Sequence, residues 1–403
     1  MSADAQLVTR RTVIAVVAAS TAAQVGSVMA VAVFPTIAPN LAASLGVEPS
    51  LIGYQMSLMY AAPMLLAPFV GSLIVRWGAC RATQAGLGLS VLAMLLSLTA
   101  SLPALAVAST LAGAAIGVLT TASAHLLFRF SPPANRNIIF SFKQTGVPFA
   151  WAVMALVAPP VALAFGWRWS LALIIAYGLV MIAVLQPMRA AWDDDRVLGA
   201  PLLPRATGGL AVMWRQPVLR HISLMAFWCS FVQFCFSGFT VTMLVEEAGY
   251  SLVEAGWLLS LAHVAGVAGR VVWGWLADAT DALVVLRWVN LLTIVCCTLT
   301  AFVTPEWPAA VLALLFMVFG ASAVGWNGVF LAECARRSPP GQVGVATGGA
   351  MALNFAGVVV GPAIFATLYK MTGSYADTFG WLTLAAVMGL VFLMRAQYAA
   401  QQR

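Results

Sequence analysis

Twelve long apolar runs decide what this chain can fold into. They lie at 13–37, 51–75, 82–100, 103–127, 138–163, 169–188, 219–245, 253–277, 284–304, 308–331, 344–369 and 376–396. A helix of about 20 residues crosses a hydrocarbon core of about 30 Å. The runs do not alternate apolar and polar residues, so barrel strands are excluded and helices are the spanning form. Hydrophobic residues make up 62% of the chain and charged ones 8%. A water-soluble globule cannot cover that much apolar surface. The expected class is an all-α polytopic membrane protein with twelve transmembrane helices.

The basic residues set the expected orientation. Of the twenty Lys and Arg, Lys143 and Arg270 fall well inside spans. Nearly all the others lie at the termini or in the loops after spans 2, 4, 6, 8 and 10. Only Arg168 and Lys370 fall in the opposite loops, which carry Glu48, Glu246, Glu247, Glu254, Glu306 and Asp377. The positive-inside rule therefore puts both termini in the cytoplasm. The net charge of +7 is an orientation signal and implies no nucleic-acid partner. Arg10 and Arg11 precede an apolar run longer than a signal-peptide core, and Gln24 interrupts it, so no cleaved leader is expected. The six cysteines, with Cys80 placed in a cytoplasmic loop, form neither a disulfide framework nor a metal-ligand spacing.

The chain repeats itself. At an offset of about 203, Gly46, Gly53, Ser57, Leu58 and Gly71 match Gly249, Gly256, Ser260, Leu261 and Gly274, and Tyr54 aligns with Trp257. Ser131-Pro132-Pro133 returns as Ser338-Pro339-Pro340, and Arg11 and Gln24 return as Arg220 and Gln233. Two six-helix bundles in parallel repeat follow, at 1–188 and 219–403. The polar stretch 189–218, with Asp193-Asp194-Asp195, Pro201, Pro204 and Gly208-Gly209, is expected to be a cytoplasmic connecting loop. The three aspartates are expected to be a solvated surface.

After the second span of each half comes a turn of the Gly-x-x-x-Asp-Arg-x-Gly type. The first copy has Gly71, Arg76, Gly78 and Arg81, with Val75 in place of the aspartate; the second has Gly274 and Asp278 without the following arginine. With the two six-helix halves, this resembles the major facilitator superfamily over the whole chain. The resemblance implies pseudo-symmetric bundles that rock about a central site, the turn acting as a cytoplasmic gate, weakened in the first half by Val75. It also implies that the fifth and eighth spans face each other across the halves. The family's usual arginine in the fourth helix is missing, because 111–122 is apolar or small throughout. Residues 141–148 and 325–333 look like segments of bacterial members, which implies the bacterial inner membrane. Arg270 four residues before Gly274, followed later by Gly361-Pro362, is similar to carboxylate-carrying branches.

Lys143 and Arg270 are both positive, and no Asp or Glu lies near the centre of any span. Buried charges need partners. A mobile anion supplies one, held by Lys143 and Arg270 from opposite halves. In the plainer alternative Lys143 snorkels to the surface and Arg270 bonds helix-end carbonyls or reaches Asp278. His263, two turns from Arg270 on the same helix, and His125 are candidates for proton coupling, His263 also for substrate binding. Gln24, Gln144, Gln233, Asn327 and Asn354 are further candidates for substrate binding. Gly146, Gly266, Gly269, Gly348, Gly349 and Gly357 permit close backbone approach, and Pro148 is a site for a kink.

No enzyme constellation, metal site or phosphate loop is present, so no enzyme activity and no cofactor are expected. The expected function is secondary active transport of a small organic anion, a carboxylate, by alternating access, with proton symport or anion exchange. The alternative is a proton-coupled exporter of drugs or hydrophobic compounds. The expected partners are the anionic substrate, protons as coupling ion and the lipid bilayer, with the protein a monomer.

Overall fold

The computed structural model describes residues 10–132, 136–199, 209–339 and 343–402. Pro201, Pro204 and Gly208 of the connecting stretch, and Pro133 and Pro340 of the repeated Ser-Pro-Pro, lie outside them. Every regular element among the described residues is a helix. In the first half these are α1 (Arg10–Thr36), α2 (Ala38–Leu45), α3 (Ile52–Trp77), α4 (Ala79–Ser97), α5 (Leu102–Phe130), α6 (Arg136–Gln144), α7 (Gly146–Phe165) and α8 (Trp167–Leu185). Short helices α9 (Arg189–Trp192) and α10 (Gly209–Arg215) follow. The second half has α11 (Pro217–Glu246), α12 (Leu252–Ala279), α13 (Ala282–Thr300), α14 (Ala309–Ala323), α15 (Asn327–Arg337), α16 (Val343–Thr372) and α17 (Tyr375–Gln401).

Eleven spans are long and apolar enough to cross a membrane; a twelfth forms if Pro49–Leu66 and Phe69–Trp77, bent by 64°, count as one. Three features depart from twelve simple rods. The exit at Pro35–Pro39 leads into the short helix α2, which Gly46 ends in the left-handed conformation. The fifth span breaks at Thr145. Pro148 has no N–H to give the Gln144 carbonyl four residues back, so the ladder fails there. The tenth span breaks between Ala323 and Asn327. Cys80 is not in a loop: it is fully buried in the first turn of α4.

The repeat is visible in how helices cross. A Cβ on Gly113 would overlap the Met59 carbonyl, and one on Gly320 would overlap the Ala262 carbonyl. Met59 and Ala262 are repeat mates, so α5 crosses α3 as α14 crosses α12, each at a glycine. The contacts between the halves are paired too. A Cβ on Gly53 of α3 would strike the Pro362 carbonyl of α16, and one on its mate Gly256 of α12 would strike the Ala155 carbonyl of α7. Further along the same two helices, Gly71 and Gly274 face open space. The halves are therefore pinched together, backbone against backbone, at the end carrying α2.

Valine at Gly113 or Gly320 forces backbone apart and is expected to cost about 1–3 kcal/mol or more. Thermal unfolding of the purified protein should show both variants destabilised, and Gly88→Ala, where nothing lies within 4 Å, unharmed.

Candidate functional site

Two polar clusters form at repeat-related positions, one in each half. In the first half Gln24 of α1 accepts hydrogen bonds on Oε1 from Thr120 Oγ1 of α5 (3.2 Å) and Lys143 Nζ of α6 (3.1 Å). In the second, Gln233 of α11 accepts on Oε1 from Trp326 Nε1 and Asn327 Nδ2, both at 3.1 Å. Two donors converging on one atom fix it as the carbonyl oxygen. Each glutamine thus spends its acceptor on its own half and, among the described residues, keeps its NH2 donors uncommitted. Lys143 is only 3% exposed, so it does not snorkel. One of its three ammonium donors goes to Gln24.

Arg270 of α12 joins the two helix breaks. Its Nη1 donates to the Gln144 carbonyl at 2.8 Å, the oxygen that Pro148 leaves without an N–H. Its Nε donates to the Val324 carbonyl at 3.2 Å, at the break before α15. Trp273, one turn on, donates to the Ala321 carbonyl of the same break at 2.8 Å. Arg270 therefore does not reach Asp278. The residue it bonds in the first half, Gln144, directly follows Lys143 in the chain. Among the described residues neither makes an ion pair: the carboxylates that pair with Arg or His are Asp193, Asp194, Asp195 and Glu333. The guanidinium has five donors, and two are used by carbonyls.

His263 lies toward the pinched end, 1% exposed. Its ring stacks on Trp151 of α7, centroids 5.3 Å apart and planes at 12°, while Nε2 meets Ser237 Oγ at 3.3 Å. Its Nδ1 is buried without a partner among the described residues. Asn354 accepts from Ser230 Oγ at 2.6 Å and belongs to the packing of α16 on α11. Gln144 enters the site through its backbone carbonyl. Thr120, Trp151 and Trp326 were not marked out by the sequence, since an apolar span hides which of its hydroxyls and rings turn inward.

Of the aspartate triplet, Asp194 and Asp195 are exposed, but Asp193 is not a solvated surface residue. Asp193, 3% exposed, accepts from the backbone N–H of Cys80 (2.6 Å) and of Arg81 (3.2 Å), capping α4, and pairs with the Arg81 guanidinium at 3.2 Å. Gly78, at φ +100°, ends α3 where any Cβ would overlap that carboxylate. Asp195 pairs with His125 Nε2 at 2.7 Å and with Arg129 at 3.1 Å, and Asp194 pairs with Arg129. His125 thus lies at the termini end, tied to the connecting segment and away from the two glutamine clusters. Arg76 and Asp278 of the turn have no ion-pair partner among the described residues, while Arg81 and Gly78 are organised around Asp193. An acidic run on the arginine-rich side of the bilayer was the available signal, and the arginines it needed stood next to it.

The family model of the Major Facilitator Superfamily matches residues 20–362. The chain is similar to the benzoate transport protein of Acinetobacter baylyi, 27% identical over 43% of this chain and 37% of that protein. The match thus spans little more than a third of that relative's length. It is also similar to the hexuronate transporter of Bacillus subtilis, 21% identical over 69% of this chain and 70% of that one. Among solved structures, a bacterial homolog of the human lysosomal transporter Spinster, inward-facing and unoccupied, superposes with a TM-score of 0.71 at 15% identity, covering 98% of this chain and 99% of that one. With the family match extending over most of its length, the chain belongs to the Major Facilitator Superfamily.

Proposed function

We propose that this protein is a secondary active transporter that carries a small organic anion, a carboxylate, by alternating access of the halves 1–188 and 219–403. The observation that carries the proposal is the one-sided chemistry between the halves. Among the described residues Lys143 and Arg270 are held by neutral oxygens alone, and Gln24 and Gln233 have committed their acceptors. What remains unspent is donors on both sides, which is the complement of a carboxylate. An exporter of cationic compounds needs the opposite, a buried carboxylate facing the path. The two relatives named above are described as carriers of benzoate and hexuronate, both carboxylates.

The coupling ion in this proposal is the proton, and His263 is its carrier. It sits between the halves with Nδ1 unclaimed, whereas His125 is held by Asp195. The site works as a monomer in the bacterial inner membrane, with both termini cytoplasmic. A reporter that fluoresces only in the cytoplasm, fused after Arg403, should light up; activity of a periplasm-only reporter there overturns the orientation.

Arg270→Gln removes charge-assisted hydrogen bonds worth about 1.5–3 kcal/mol, so carboxylate binding should weaken roughly ten- to a hundredfold. Lys143→Gln should weaken it by a smaller factor, having one point of contact where the guanidinium has a fork. Stabilisation of the purified protein by added carboxylates measures both; wild-type affinity in Arg270→Gln removes the basis of the anion assignment. In proteoliposomes an imposed pH gradient should drive wild-type uptake and fail to drive it in His263→Gln. Uptake that ignores the gradient in the wild type means anion exchange instead.

A further inference from the structure

Between the donor clusters and the pinched end lies a layer of four rings, two from each half. Tyr60 of α3 and Trp151 of α7 come from the first, Phe234 of α11 and His263 of α12 from the second. Phe234 meets Tyr60 edge-on, centroids 4.7 Å apart at 68°, and meets Trp151 edge-on at 6.5 Å and 77°. Trp151 in turn stacks flat on His263 at 5.3 Å. Tyr60, Trp151 and His263 are almost wholly buried, at 5%, 2% and 1%, and Phe234 alone keeps part of its surface open. Phe234 also directly follows Gln233, the residue whose NH2 donors are unspent.

The layer is unusual in what joins the halves. Beyond it, Gly53 and Gly256 let backbone meet backbone; on its other side the cations and amides offer donors only. His263 is seven residues from Arg270 on α12, about 10 Å along the axis. A carboxylate at the guanidinium whose body extends along α12 toward its N-terminus would meet these rings. Ring faces and edges select other rings by quadrupole geometry, over and above burial.

Resting on the anion proposal, we infer that the substrate is an aromatic carboxylate, its carboxylate among Lys143, Arg270 and the two glutamine amides and its ring packed against the Phe234–Trp151–Tyr60–His263 layer. An aromatic pair contributes about 0.5–1.5 kcal/mol beyond area burial. A flat ring should accordingly bind roughly two- to tenfold tighter than a saturated ring of the same size.

The test is calorimetric binding of benzoate, cyclohexanecarboxylate and acetate to the purified full-length protein. Benzoate should bind tightest, cyclohexanecarboxylate two- to tenfold more weakly, and acetate weakest. Phe234→Leu, which keeps the bulk and removes the ring, should bring the benzoate and cyclohexanecarboxylate affinities together; Tyr60→Leu should narrow the gap if Phe234→Leu does not fold. Equal binding of the two ring acids by the wild type overturns the aromatic assignment and leaves the anion proposal standing. A preference for benzoate unchanged in these variants overturns the role of the layer. Binding of none of the three acids overturns the anion proposal and this one with it.

Discussion

Two positive charges sit inside this bundle with, among the described residues, only neutral oxygens to hold them. Lys143 leans on the Gln24 carbonyl, and Arg270 on the carbonyls of Gln144 and Val324. Taking an ion out of water costs several kcal/mol, and dipoles offset only part of that. The protein puts its acids elsewhere: Asp193 to Asp195 tie the connecting segment to α4 and α5, Glu333 binds Arg336 and Arg337, and Glu247 accepts from the backbone N–H of Ala376 at 2.8 Å to cap α17. The space between the halves is left electropositive.

Arg270 shows how the helices themselves build the site. A proline three residues beyond a break frees the Gln144 carbonyl, and a second break frees Val324. One guanidinium then closes both, one in each half. Irregular backbone at membrane depth is tolerated where protein groups satisfy it. The same bonds leave three of its five donors uncommitted among the described residues. Around it the paired glycines set the geometry: Gly53 and Gly256 let backbone meet backbone across the halves at one end.

Much of this was legible in the sequence, for identifiable reasons. Span positions follow from run length, and the break in the fifth span follows from Pro148. The half-chain offset pointed to Gly53 and Gly256, which do the same work in each half. It did not point to Gly113 and Gly320, because the offset grows by about four residues between the second and fourth spans of each half. The break before Asn327 carries no proline and gave no signal. The burial of Asp193 in the turn formed by Gly78 and Arg81 was not legible, because local composition says nothing of what a loop folds back on. Val75 stands where the superfamily usually has an acid in that turn; the acid that organises the turn here comes from beyond the sixth span. The polar clusters were legible as residues and illegible as pairs: Gln24 and Gln233 stood out in apolar runs, and their partners Thr120 and Trp326 did not.

The central claim is that an anion's charge, and not its shape, is what the paired cations await. Binding of benzoate and of benzamide to the wild-type protein, measured side by side by calorimetry, separates the two. The two ligands match in ring and bulk and differ in charge. The account predicts that benzoate binds and benzamide binds at least about tenfold more weakly; equal affinity for both would contradict it.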